Sequence, residues 1–331
     1  MNAIQATTAT SPRNAVLDAL KAQGLEPSQL TQANTFTDVF FARMAPGDMD
    51  AHTPQQWAGL IAGLLQFMQR RPSGQALVRV LDAVPGHPGR SLLQVVTDDM
   101  PFLVDTVSMI VTENRQSIQA VIHPVLNAVR DAEGTLLRLG DESGVPESIM
   151  HFAIDRIVDE ALCSRLQAQI ADALNDVRQA VGDWSAMRDK ALAIAADLPH
   201  RKLALDEDSV REAADFLRWM ADDNFTFFGY RQYEVVAADG EQVLRAVDAT
   251  GLGILRDSDH SLAPRSVRSL AASELPHSGA TDAIILTKTN ARSHVHRSGY
   301  MDYVGVLKFD ADGKAVAEER FIGMFSSSAY M

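Results

Sequence analysis

The sequence predicts an α+β chain with two sheet-bearing regions, each accompanied by helices. Three observations carry that expectation. β-Branched and apolar runs at 76–84, 91–97, 118–129 and 149–157 are interleaved with amphipathic stretches at 101–115 and 159–181. A second set of such runs, at 225–236, 241–247, 283–289, 294–297, 301–309 and 315–325, follows with little helical pattern between its members. The two sets are separated by an acid-rich helical stretch at 184–223.

Taken in order, the Ala- and Thr-rich residues 1–12 predict a disordered or loosely attached tail. Residues 13–74 predict a helical cap, with helices at 13–21, 29–41 and 54–68. In the last of these Trp57, Leu60, Ile61, Leu64, Leu65 and Met68 share one stripe. Phe36, Phe40, Phe41 and Phe67 read as packing contacts. A first sheet domain spans 75–182. Its opening strands are joined through Pro85-Gly86-His87-Pro88-Gly89, a turn sequence. Pro101 is expected at a first helical position, preceded by an acid that can cap, and Leu103, Val107, Ile110 and Val111 form that helix's buried stripe. The next helix repeats Leu162, Leu166, Ile170, Leu174, Val177 and Val181. Strand, helix, two strands and helix is the order of a ferredoxin-like sandwich. Its last strand is missing, and the early run at 76–84 is expected to take that edge, beside 91–97.

A connector spans 183–223: one helix stopped by Pro199, and a second opened by a Ser209/Glu212 capping box. The final region, 224–331, reads as one antiparallel sheet of the kind found in PAS-like domains. Hairpins are expected at Ala238-Asp239-Gly240 and Asp310-Ala311-Asp312-Gly313. The chain stops just after an apolar strand, so the polypeptide is expected to continue beyond Met331.

Composition narrows the classes. A net charge of −13 argues against a nucleic-acid binder. The one cysteine, Cys163, cannot form an internal disulfide. Nothing resembles a signal peptide or a membrane anchor, so a cytoplasmic protein without membrane association is expected. Enzyme motifs are poor: Gly251-Leu252-Gly253-Ile254-Leu255-Arg256 lacks the third glycine and the strand-to-helix context of a dinucleotide loop. No phosphate-binding lysine loop, zinc spacing or nucleophile elbow is present, and no cysteine or well-placed carboxylate completes a metal site with His294 and His296. Hence no catalytic residue, metal or cofactor is expected in these residues.

Two candidate sites remain. At the strand-to-helix corner Asp98, Asp99, Met100, Pro101 and Asp105 precede or open a helix whose N–H groups would favour a carboxylate, although an ordinary capped corner explains them as well. Farther on, Lys288, Arg292, His294, His296, Arg297 and Lys308 break the acidic background. If 294–297 is a strand, His294 and His296 share a face, and an anion pocket follows. The alternative is a solvated basic edge or ion pairs to Glu318, Glu319 and Asp302.

Several blocks resemble a known family. Asp98-Asp99-Met100-Pro101-Phe102-Leu103-Val104-Asp105, Val121-Ile122-His123-Pro124-Val125, Glu147-Ser148-Ile149-Met150-His151 and Phe225-Thr226-Phe227-Phe228-Gly229-Tyr230-Arg231 are similar to the amino-terminal region of the large bacterial NAD-specific glutamate dehydrogenases. So are 287–297, 299–306 and 319–330. Ala153 departs from the pattern, standing where an acid is expected. The resemblance implies a regulatory and assembly segment whose dehydrogenase core, with its NAD, lies elsewhere in a longer chain. It also implies an ACT-like domain at 75–182, with an amino-acid effector held by Asp98, Asp99, Met100, Pro101 and Asp105 and with His123 nearby. The implied partners are the chain's own catalytic region and sister subunits of a homo-oligomer. The competing class is a stand-alone amino-acid-binding or interaction module.

Overall fold

The computed structural model describes residues 12–42, 44, 49, 52–82, 89–201, 205–238, 241–256, 283–312 and 314–326. Two compact units divide the chain, residues 1–172 and 173–331. The 1–12 tail lies outside the described residues apart from Pro12, as do most of the turn at 85–89, Asp239-Gly240 and Gly313.

The first unit opens with α1 (Pro12–Lys21), α2 (Pro27–Phe41) and α3 (Pro54–Phe67). Helix α3 starts where the sequence supplies a reciprocal cap. The Gln56 N–H donates to Thr53 Oγ1 at 3.3 Å, the Thr53 N–H donates to Gln56 Oε1 at 2.8 Å, and Pro54 stands in the first turn. The helices turn Phe36, Phe40, Trp57, Ile61, Leu64 and Met68 inward. There they share a core with Leu92, Val96, Ile149 and Ala153 of a sheet. Each buried Val, Leu, Ile, Phe or Met among them contributes about 1.5–3 kcal/mol of apolar burial. Ala153 fits that core by its lack of charge.

The sheet comprises β1 (Leu77–Leu81), β2 (Arg90–Asp98), β3 (Ile118–Ile122), β4 (Val125–Arg130), β5 (Leu136–Leu139) and β6 (Val145–Asp155). Its order is β1-β2-β6-β4-β5, with β3 also paired to β6, and every pairing is antiparallel. The early strand β1 does occupy the edge beside β2. The run expected as one strand over 118–129 is two, because Pro124 has no N–H to extend the ladder. Ile122 pairs with His151 and Val125 with Ser148, so β3 and β4 lie in series along β6. Strand β5 was not foreseen; four residues between Gly134 and Gly140 carry too short an alternation to register.

The strand-to-helix corner differs from expectation. Helix α4 (Leu103–Glu113) begins after Phe102, which adopts a left-handed conformation with φ 72°, and its first turn closes from the Thr106 N–H to the Phe102 carbonyl. Pro101 is therefore outside the helix and neither Asp98 nor Asp99 caps it. The reason is that the Asp99 N–H still donates to the Pro146 carbonyl at 3.0 Å, so the chain stays tied to the sheet and turns only at Phe102. Helix α5 (Glu160–Gly182) follows β6.

In the second unit α6 (Trp184–Asp197) gives way to a 3-10 turn containing Pro199. Helix α7 (Glu207–Trp219) is capped by Asp206, whose carboxylate accepts the Ser209 N–H at 2.8 Å. The expected Ser209/Glu212 box is thus replaced by an acid one turn earlier, which also holds the Asp206 carboxyl below its ordinary pKa. The sheet holds β7 (Phe225–Ala238), β8 (Glu241–Ala246), β9 (Leu252–Gly253), β10 (Ile284–Arg292), β11 (Tyr300–Phe309) and β12 (Ala315–Phe325). The order is β10-β11-β12-β7-β8, antiparallel throughout, with β9 on β7. Residues 294–299 form bends where a strand was expected over 294–297; Ser293 Oγ accepts the Val295 N–H, and His296 takes φ 68°, which no strand admits.

Candidate functional site

At the first corner the alternation of β2 sends Asp98 and Thr97 to opposite faces of the sheet. Asp98, beside Glu147 in register, meets the buried Arg71, whose Nη2 donates to Asp98 Oδ1 at 2.6 Å. Glu147 is fully buried and accepts from two guanidinium groups. Arg71 donates to its Oε1 from Nη2 at 2.7 Å, and Arg130 grips both oxygens, Nε to Oε1 at 2.6 Å and Nη2 to Oε2 at 2.8 Å. The remaining arms donate to the Gln75 and Gly134 carbonyls. Burial opposes the charge on Arg71, but hydrogen bonds and attraction from Glu147 and Asp98 outweigh it and raise its pKa. Asp98 therefore serves a two-arginine, two-carboxylate clamp between β2, β4, β6 and the segment after α3.

The other predicted members lie elsewhere around the corner. Asp99, Met100 and Pro101 occupy the connector, Asp99 exposed, and Asp105 is exposed on the first turn of α4. His123 stands at the break between β3 and β4, where its Nε2 hydrogen-bonds with the buried Ser148 hydroxyl. Ser148 pairs across the sheet with Thr97. So His123, Ser148 and Thr97 form a polar group on the face opposite the Asp98 clamp, and the expected cluster is split in two by the pleat.

The basic residues of the second sheet are likewise dispersed. Lys288 pairs with the buried Asp302 at 2.6 Å, and Lys308 with Glu319 at 3.2 Å. Arg292 is exposed and lies over the Tyr300 ring at 5.6 Å. Arg297 donates from Nη2 to the Phe325 carbonyl at 2.7 Å. His294 and His296 sit on bends, so strand alternation does not bring them together.

What the residue patterns did not disclose is a pair of charge networks under the same sheet. On one face Arg320 and Glu318 are both fully buried. Arg320 Nε donates to Tyr303 Oη at 2.9 Å and to Glu318 Oε1 at 3.0 Å, the Tyr303 hydroxyl donates to Glu318, and the Tyr233 ring lies 3.8 Å from the guanidinium carbon. Gly305 makes the room: a Cβ there would stand 2.9 Å from Glu318 Oε1. Glu319, on the other face, accepts from Arg201 at 2.8 Å and from Gln232 at 3.2 Å. The Tyr230 and Tyr303 hydroxyls are driven up in pKa by burial, then by the neighbouring Glu319 and Glu318. The visible signal was Glu318-Glu319-Arg320 inside an apolar strand, three charges where a buried strand should carry none. Among the described residues no group of three or more His, Cys, Asp or Glu is placed to hold a metal, and no helix is long and apolar enough to cross a membrane.

Comparison with known proteins gives a consistent picture. Residues 36–170 match the family model described as glutamate dehydrogenase, ACT1 domain. The chain is 29% identical over 316 residues to the NAD-specific glutamate dehydrogenase of Halomonas elongata, covering 92% of this chain and 20% of that protein. It is 28% identical over 327 residues to that of Pseudomonas aeruginosa, covering 95% and 20%. The Mycobacterium tuberculosis enzyme of the same name is 27% identical over 273 residues, covering 79% and 15%. The chain thus spans about a fifth of the length of the first two relatives.

Proposed function

Proceeding from a chain that is similar to NAD-specific glutamate dehydrogenases along nearly its whole length, we propose that it is the amino-terminal regulatory and assembly segment of such an enzyme. The observation that carries this reading is the asymmetry of coverage: over nine-tenths of this chain against one-fifth of the relatives. The full-length protein would convert L-glutamate, NAD and water to 2-oxoglutarate, ammonium and NADH, with its catalytic core and NAD site outside these residues. Partners are then that core and sister subunits, in the cytoplasm. The 75–182 region acts as an ACT-like sensor and the 224–331 sheet as a PAS-like domain.

The effector proposal narrows to the corner's outer side. Asp98 is committed to Arg71, whereas Asp99 is exposed and is the acid we assign to receive an ammonium group. Amino acids should stabilise the purified chain saturably, by about 2.7 kcal/mol at a hundredfold excess over the dissociation constant. Asp99→Ala should weaken that effect in calorimetry; unchanged affinity removes the corner from consideration. The enzymatic assignment is tested separately: the purified chain should show no glutamate-dependent NAD reduction, and robust turnover overturns it.

A further inference from the structure

Several arginines show how this fold satisfies a guanidinium. Arg130 presents its Nε and Nη2 edge to both oxygens of Glu147. Arg156 does the same with Asp82, at 2.9 and 3.1 Å, and Arg256 with Asp183. This side-on geometry matches a carboxylate at two points. Arg231 departs from it. Its side chain is 5% exposed, its Nη2 donates to Asp248 Oδ1, and its Nε, on the same edge, is buried without a hydrogen-bond partner. A buried donor left unmade is costly, and on a charged group more so.

The engaged carboxylate is also unusual. Asp248 is 80% exposed, on a 3-10 turn that is anchored to β7 by the Val247 N–H to the Gln232 carbonyl and by the Gln232 N–H to Thr250 Oγ1. Directly opposite Arg231 in the β7–β12 register stands Arg320, whose own charge is taken up by Glu318. Like charges in cross-strand register repel. The place therefore holds two buried cations, and one of them is half-paired by a carboxylate that is largely solvated. We propose that the Nε and Nη2 edge of Arg231 is a binding site for a small carboxylate anion, for which the Asp248 side chain is a one-point internal substitute. An external carboxylate in place of Asp248 completes the second hydrogen bond, and the Asp248 side chain returns to water with little loss. The site is independent of the corner effector and of the enzymatic reading, since it rests on these residues alone.

The test uses the whole chain, with acetate, phosphate and chloride compared at equal ionic strength and pH 7. Acetate should raise the unfolding midpoint saturably and beyond the rise that chloride gives through screening at the same ionic strength. Asp248→Asn removes the competing carboxylate and should tighten acetate binding at least tenfold. In chains labelled with 15N-arginine, the Nε–H resonance that Arg231→Lys removes should shift on acetate addition, a readout that does not depend on variant stability. An equal response to acetate and chloride overturns the proposal, as does an Asp248→Asn chain that binds acetate no better or an Arg231 Nε–H that stays fixed. A response to phosphate that exceeds that to acetate overturns the carboxylate assignment.

Discussion

In both sheets single buried charged groups are each held by several partners. Glu147 holds Arg71 and Arg130 together, so Glu147→Gln removes the carboxylate that the two guanidinium groups share and leaves Arg71 with Asp98 alone. Losing one partner of such an ensemble costs about 3–5 kcal/mol, and urea unfolding of the variant against the natural chain should show a loss of that order. Tyr230 and Tyr303 give a pH-dependent signature. Their hydroxyls are raised above the ordinary value near 10, so the fold favours the protonated form. Their contribution is complete below pH 10 and is lost as pH rises beyond it. Absorbance at the phenolate band should therefore show a late ionisation that accompanies unfolding, and Tyr303→Phe should reduce its amplitude. These groups were illegible beforehand for a physical reason. Asp98 was visible as an acid at a corner, but its partner Arg71 is 27 residues away, and only the fold brings them together.

At the scale of elements, the sequence was most readable where one periodicity ruled. The helices α2, α3 and α5 and the strands β2, β6, β7 and β12 each bury a continuous stripe, and burial enforces what the pattern states. Reading failed where backbone details decided. Pro124 splits a strand whose side-chain pattern is unbroken, Phe102 begins a helix from a left-handed residue, and Ser293 turns 294–299 away from a strand. The shared face argued for His294 and His296 depended on that strand's alternation and goes with it. A comparable backbone constraint is Gly323, at a register shift between β12 and β7: a Cβ would lie 2.1 Å from the Thr226 carbonyl oxygen and 2.6 Å from the Phe225 ring. Gly323→Ala should destabilise by at least the roughly 1–3 kcal/mol typical of overpacking. Gly305→Ala, whose added methyl meets the Glu318 carboxylate and the Tyr303 ring, should cost less because side chains can yield. Paired chemical denaturation of the two variants checks the order.

For the molecule as a whole, a net charge of −13 keeps the chain in mutual repulsion that salt relieves. Raising sodium chloride from 10 to 150 mM shortens the screening length from about 30 to about 8 Å, so the unfolding midpoint should rise over that range, as calorimetry can check. The arrangement of the second sheet has a consequence in time. Strand β7 lies between β8, which follows at once, and β12, whose Phe325 pairs with Phe225 about a hundred positions earlier. A ribosome adding roughly 5–20 residues per second takes about 5–20 s to travel that distance. During that interval Phe225, Phe227 and Tyr230 have been synthesised, but the strand that will cover their edge has not. A nascent chain of this protein passes through a window in which a 14-residue strand offers an open edge to any neighbour on the same polysome. Arrested chains ending before Ala315 should accordingly sediment as aggregates unless a chaperone holds β7.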